Sequence, residues 1–273
     1  MNTTTPELNY YDMGASVTAF SSTRRGGYSK GCPAEGDASI PGNNYETFNI
    51  NRYCGDDEEH IRLNREALCR LLDISDEQLI MPHQTHETRV ACIDEAFMAL
   101  PQEARQAMTD GTDALMTDLR GVCIGVSTAD CIPVLLHDPR QGAVAAIHAG
   151  WRGTVARIVE KAVAAMADTY SSRPEDIVAQ IGPGISLESF EVGPEVYDAF
   201  ADAGFCMAAI TKKYDKWHIN LPECNRRQLV ASGLLPDHIS DCGICTFRNF
   251  DTYFSARRLG IHSGRIFTGI LRR

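Results

Sequence analysis

The chain has 273 residues, 44% of them hydrophobic and 23% charged, which is the make-up of an ordinary globular protein long enough to bury a full core without staples. A net charge of −10 argues against duplex nucleic acid as the main partner, since phosphate contacts need a basic face, whereas a small anion needs only a local arginine cluster. The opening residues MNTTTPELNYYDMG carry no secretion signal, and no apolar run approaches the ~18 residues of a membrane span, so a cytoplasmic protein with ten reduced cysteines is expected.

No repeat, low-complexity tract or linker divides the sequence, which predicts one domain over residues 1–273. A short strand is expected over Ser16–Phe20. After it, SSTRRGGYSKGCPAEGDASIPGNNYETFNINRYCGDD is rich in Gly, Ser, Pro and Asn and predicts a long irregular loop, of the kind that is usually functional or disordered. DDEEHIRLNREALCRLLDI predicts a helix capped by Asp56 or Asp57, with Ile61, Leu68, Leu71 and Leu72 as its apolar stripe. LIMPHQTHETRVACI is strand-like but broken by polar residues. GVCIGVSTADC, IPVLLHD and GAVAAIHAG are three short apolar runs, the last two joined by DPRQG as a hairpin.

The apolar positions of TVARIVEKAVAAMADTY recur at helical spacing, which sets His148 to Gly153 at a strand-to-helix junction. DIVAQIGPGIS is another buried run, GPEVYDAFADAG an acidic helix, and a further helix is expected from Pro222 towards Gly233. The tail from Cys245 alternates enough for two strands. This order of strands, helices and hairpins predicts an α+β fold with a mixed sheet.

Cys131 in STADCIP and His148 in HAGWRG close two of the apolar runs. Their spacing leaves three readings open: a buried cysteine with a satisfied core histidine, a thiolate nucleophile with its base, or two ligands of a metal. The metal reading needs a third donor, which HQTHETRV offers as His83 or His86; on a strand these two face opposite ways, so only one can join. The CGIC of Cys242 and Cys245 has no second C-x-x-C to complete a site and is read as incidental. Arg24 beside Gly26-Gly27, and Arg257-Arg258 beside YFSA, stand out among the basic pairs as candidate ligand contacts.

The stretches TRRGGYS, FNINRYCGDD, NREAL, HQTHETRV, TDALMT, STADCIPVLLHD, AAIHAGWRGT, IGPGISLESFEVG, CTF and YFSARR with SGR run in order over nearly the whole chain. Together they resemble the laccase-domain family, once called multicopper polyphenol oxidases and now regarded as purine nucleoside phosphorylases; a bacterial branch is called peptidoglycan editing factor. The resemblance implies a three-layer α/β/α fold around a mixed sheet and a zinc site of two histidines and one cysteine. The Q-x-H of the family falls on Gln84-Thr85-His86, so the implied ligands are His86, Cys131 and His148, with His83 left as a neighbour. The chain departs from the family at Glu87, where glycine is usual, and at Gly184, where cysteine or alanine is common; the second is read as a packing change.

The implied activity is zinc-dependent phosphorolysis of adenosine, inosine or methylthioadenosine to the base and ribose 1-phosphate, with adenosine deamination as a second reaction. Arg24, Gly26, the Gly150–Gly153 turn and Arg152 are the phosphate candidates, with Asn49 and Arg257 as further substrate contacts. Asp130, beside Cys131, is expected to hold His148 or His86 through its free nitrogen. The alternatives are a cysteine hydrolase acting on peptidoglycan precursors, with Cys131 as nucleophile and His148 as base, and a copper polyphenol oxidase. The chain lacks the H-x-H pairs of multicopper oxidases, although copper bound in vitro is compatible with the ligand set. No nucleic-acid or membrane partner is expected, and the protein is read as a monomer or homodimer.

Overall fold

In the computed structural model, residues 5–30 and 44–273 are described; Cys32 and the centre of the Gly/Ser/Pro-rich stretch lie outside them. The chain begins with an antiparallel pair, β1 (Leu8–Tyr11) and β2 (Val17–Ser22). The described residues that follow form no regular element until α1 (Glu58–Leu72), which Asp57 caps by accepting the N–H groups of Glu59 and His60. Ile61, Leu68 and Leu72 are buried as the stripe requires, but Leu71 turns outward and is 38% exposed. Two short strands follow, β3 (Leu79–Ile80) and β4 (Val90–Cys92), with the His83 to Arg89 stretch between them irregular.

Two small helices, α2 (Glu95–Met98) and α3 (Gln102–Met108), lead to four strands that make the centre of the fold: β5 (Ala114–Thr117), β6 (Cys123–Thr128), β7 (Ile132–Asp138) and β8 (Ala143–Ala149). The predicted hairpin is the β7–β8 pair, in antiparallel register from Ile132 opposite Ala149 to Asp138 opposite Ala143. The single helix expected next is two, α4 (Trp151–Val155) and α5 (Ile158–Tyr170), parted by Arg157 in the left-handed region at φ 65°. Gln228 explains the break. Its amide donates to the Thr154 carbonyl at 2.8 Å, an acceptor that a continuous helix would give to the N–H of Ile158.

β9 (Val178–Ile181), β10 (Glu191–Val192), α6 (Pro194–Asp202), α7 (Met207–Ile210), β11 (Thr211–Lys213), β12 (Trp217–Ile219), α8 (Leu221–Ala231) and β13 (Ile239–Asp241) complete the second half. The tail holds one strand rather than two. A short helix, α9 (Ala256–Leu259), precedes β14 (Ile266–Arg272).

The α+β class with mixed sheets is as expected, and the strands divide over two large sheets, in the orders β1-β2-β14-β6-β3 and β13-β9-β7-β8-β5-β4, with a small third sheet β10-β12-β11. Period-two alternation shows how they stack. On β8, Val144 and Ala146 meet Ile124 and Val126 of β6 in a core shared by the two sheets, while Ala145 and Ile147 face Val159, Ala162 and Val163 of α5. On the far side of the first sheet, Phe20, Phe267 and Leu271 pack on Leu68 and Leu72 of α1. The layers therefore run helix, sheet, sheet, helix, which corrects the three layers around a single sheet that the resemblance implied, because β6 and β8 pack face to face instead of sharing a plane. The chain passes from one sheet to the other through the β6–β7 turn, which contains Cys131. Among the described residues no helix is long and apolar enough to cross a membrane.

Candidate functional site

His86, Cys131 and His148 converge, their ligand atoms all within 4.8 Å of one another. Each arrives by a different route. His148 is the penultimate residue of β8 and is buried. Cys131 follows Asp130, whose φ of 86° forms the sharp turn between β6 and β7. His86 is itself left-handed, at φ 65°, in the irregular stretch after β3. The two imidazoles meet edge to face with centroids 4.8 Å apart.

Asp113, one residue before β5, organises the cluster. The β5–β8 register sets Ala114 opposite Ile147, which brings Asp113 beside His148. Its Oδ1 accepts from His148 Nδ1 at 2.7 Å, and its carbonyl accepts the His148 backbone N–H at 2.8 Å. The same carboxylate accepts the backbone N–H groups of His86 at 3.0 Å and Glu87 at 2.8 Å, which holds the left-handed turn that presents His86. Glu87, where the family has glycine, thus serves the site through its backbone. Burial alone would raise the Asp113 carboxyl, yet His148 and these N–H donors hold it below the usual carboxylate range.

With Nδ1 committed to Asp113, His148 offers Nε2 to the cluster. Burial opposes charge on both Cys131 and His148, but each offsets that cost for the other. The thiol is brought down to about 6 by His148 and His86, and the imidazole is pushed up to about 9 by Cys131 and Asp113.

One thiolate and two imidazoles suit a borderline-soft ion such as zinc, and three protein ligands are the complement of a catalytic rather than a closed structural site. Gly150 supplies a second test of fit. A Cβ there would lie 3.1 Å from both Cys131 Sγ and His86 Cδ2 and 3.7 Å from His148 Cε1, so glycine keeps the space beside all three donors open. Among the described residues, no other group of three His, Cys, Asp or Glu side chains has this spacing.

The cluster opens into a cavity of about 320 Å³ whose lining also includes Tyr53, His83, Thr128, Ile261 and Arg265. A larger recess of about 400 Å³ along α1 is lined by Arg52, Arg62, Glu58 and Glu66 and brings together no such donors.

The remaining sequence candidates are placed as follows. Asp130 does not reach either histidine: its carboxylate accepts from Thr246 Oγ1 at 2.6 Å and the Arg257 backbone N–H at 2.7 Å. The expectation that it orients a ligand is corrected, because it points away from Cys131 and instead holds the turn that places the cysteine. Arg257 stacks over Phe190 and donates to the Glu191 carbonyl. Arg24 and Gly26 line a separate recess with Glu46 and Asp251, and the Arg24 guanidinium donates to the carbonyls of Glu46 and Phe250 at 2.8 and 2.7 Å.

Asn49 is buried; its Oδ1 accepts the Arg265 N–H at 3.1 Å. Arg152 lies over Trp151 and is exposed. His83 is a cavity neighbour, as expected. At Gly184 a Cβ would overlap Ile132 and press on the carbonyls of Asp130 and Cys131, so the residue is fixed by the packing of that turn. Cys242 and Cys245 join no donor cluster, and the nine described cysteines are free thiols. Two site residues were missed in the sequence, Asp113 and Arg265. Both stand inside stretches that carried the family resemblance, TDALMT and SGR.

The family model for multi-copper polyphenol oxidoreductase laccase matches residues 18–273. A purine nucleoside phosphorylase of Bacteroides thetaiotaomicron is 45% identical over 94% of this chain and 92% of that protein. Adenosine deaminase RL5, from an unknown prokaryotic organism, is 41% identical over 98% of this chain and 99% of its own length. Among solved structures, the Bacillus licheniformis hypothetical protein YfiH superposes with a TM-score of 0.86 at 27% identity, covering 98% of this chain and 97% of that one. The chain belongs to the multi-copper polyphenol oxidoreductase laccase family, whose relatives named here are a purine nucleoside phosphorylase and an adenosine deaminase.

Proposed function

We propose that this chain is a zinc-dependent purine nucleoside phosphorylase that also deaminates adenosine, with His86, Cys131 and His148 holding the ion. One observation carries the reading: the His/Cys/His cluster and Arg265 line the same cavity, which is large enough for a nucleoside. A bound zinc ion supplies Lewis acidity beside the reacting atoms. Asp113 keeps a proton on His148 Nδ1 and so directs Nε2 inward. Arg265, whose guanidinium is held against the carbonyls of Ile261, Ser263 and Gly264, still carries its positive charge at the cavity wall, where a phosphate dianion needs it in a chain of net charge −10. In phosphorolysis a phosphate oxygen bonds to C1′ as the C1′–N bond breaks, and the base leaves with its electron pair and takes up a proton. In deamination water adds at C6 of adenine, the C6–N bond breaks and the amino group leaves as ammonia, so no phosphate is used.

The five other substrate candidates then divide. Asn49 positions Arg265 by accepting its backbone N–H, Arg24 and Gly26 fix the neighbouring loop, Arg257 closes on Asp130 through its backbone N–H, and Arg152 receives no role. The test is to incubate purified protein with phosphate and a nucleoside panel and separate the products. Equal amounts of base and ribose 1-phosphate are expected, and zinc-loaded protein that yields neither these nor inosine from adenosine overturns the proposal. Arg265→Lys keeps charge but loses the guanidinium fork, so the KM for phosphate should rise about tenfold. Arg24→Lys should raise it much less. Deamination should survive Arg265→Lys better than phosphorolysis.

A second reading, Cys131 as nucleophile with His148 as base, is favoured by the thiol lowered to about 6. Alkylation separates the two: stoichiometric zinc that shields Cys131 in active protein supports the metal site, since a ligated thiolate is not a free nucleophile.

A further inference from the structure

The cavity has a floor of metal-type donors, but its rim contains a feature that neither metal nor phosphate chemistry uses. Tyr53 lines the cavity yet is 44% exposed. Its ring stacks on His83, with centroids 4.2 Å apart and planes 28° from parallel. The His83 ring is held from behind, and the Tyr53 backbone is pinned. His83 Nδ1 bonds Asp110 Oδ1 at 2.6 Å and its backbone N–H donates to the Thr109 carbonyl, while the Tyr53 N–H donates to Asn51 Oδ1 at 2.7 Å. One face of the Tyr53 ring is covered by His83, leaving a second face; the residue borders this cavity and also a small recess lined by Arg65 and Arg105.

We propose that this second face of Tyr53 is the stacking surface for the purine base, and that Tyr53 is a specificity-determining residue of the site. The inference rests on the nucleoside reading above and extends it from the reacting atoms to the base. Stacking is what Tyr53 adds to the polar groups of the lining, where the buried Thr128 hydroxyl has no protein partner among the described residues. The Gln84 side chain, the natural candidate for reading a base edge, is consumed by Ser127, whose carbonyl and N–H it engages at 2.8 and 2.7 Å. Ile261, 72% exposed, adds an apolar side chain to the same lining. A preorganised aromatic shelf beside an aliphatic one suits a flat, neutral π-system and tolerates different edge substituents. It therefore accepts adenine and hypoxanthine alike and favours bicyclic purines over pyrimidines, which cover less of the ring.

The experiment pairs turnover with direct binding. In Tyr53→Ala the KM for adenosine and inosine should rise about tenfold, from the loss of one base–aromatic stack. The KM for phosphate and the bound zinc should stay near wild type, and Tyr53→Phe should restore nucleoside affinity. Adenine alone, titrated into wild type and Tyr53→Ala by calorimetry, gives a readout independent of catalysis. Weaker adenine binding in Tyr53→Ala upholds the shelf even if no turnover is found, an outcome that would reject only the enzymatic reading. Equal adenine affinity in the two proteins overturns the inference, as does an equal rise of the nucleoside and phosphate KM values, which would make Tyr53 a structural residue of the rim.

Discussion

Asp113 is where a single atom matters most. Its carboxylate bonds His148 Nδ1 and also receives the N–H groups of His86 and Glu87. Asp113→Asn keeps the shape but removes the charge and turns one acceptor into a donor. Zinc affinity is expected to fall about 10- to 100-fold, the usual cost of losing such an orienting partner, and competition with a chelating dye measures it. An unchanged affinity would show that backbone packing alone orients the two histidines. Cys131 supports a pH prediction. With its thiol lowered to about 6 against an ordinary 9.0, zinc-stripped protein should be alkylated by iodoacetamide at a rate that rises with pH through a midpoint near 6. Below that midpoint the thiol is protonated and slow to react; a midpoint near 9 would remove the case for a thiolate held by the two imidazoles. The three donors that converge were legible through the family resemblance, which ADC, HAGWRG and Q-x-H carry as local patterns. Asp113 was not, because it reaches His148 through strand pairing. Asp130, the obvious neighbour in the chain, is instead taken by Thr246 and the Arg257 backbone, because it stands in a sharp turn at φ 86°.

At the scale of elements, the site depends on the seam between β8 and α4. Gly150 caps α4 with extended backbone, φ −66° and ψ 169°, which any residue can adopt, so its side chain is excluded by space rather than by strain. Gly150→Ala should therefore leave the fold intact and lower metal affinity, because its Cβ would press on Cys131 and His86 at 3.1 Å. Circular dichroism and metal analysis on the same preparation check both halves. Wild-type zinc content in that variant would show that the donors shift aside easily. The long elements were readable from period and caps: β7 and β8 from their apolar runs, α1 from Asp57 and its stripe. Strands β1, β5 and β10 to β13 and the short helices were not, being too brief to show a period. The break between α4 and α5 was not, because apolar spacing continues across it. What ends α4 is Gln228, reaching in from α8 to take the Thr154 carbonyl, a tertiary contact with no trace in the local pattern.

For the molecule as a whole, the two sheets share one core, and each contributes chain to the donor cluster: β3 leads to His86, His148 is the penultimate residue of β8, and Cys131 stands in one of the turns that cross between them. An ion bound there clasps the layers together. Chelation should lower the unfolding midpoint by several degrees and added zinc should restore it, since an ion at a hundred times its dissociation constant stabilises the native state by about 2.7 kcal/mol. A midpoint that ignores zinc would mean that the cluster does not bind the ion. The stacking of two sheets was beyond the sequence, which reveals alternation within a strand but not which strands share a plane. The same arrangement fixes an order of events. The three donors lie far apart in the chain and meet only when strands of both sheets have found their partners, so the unfolded polypeptide has no means of capturing the ion in this geometry. If the cluster takes an ion as proposed, loading is a step that follows folding, and the ion acquired depends on the pool that meets the finished protein.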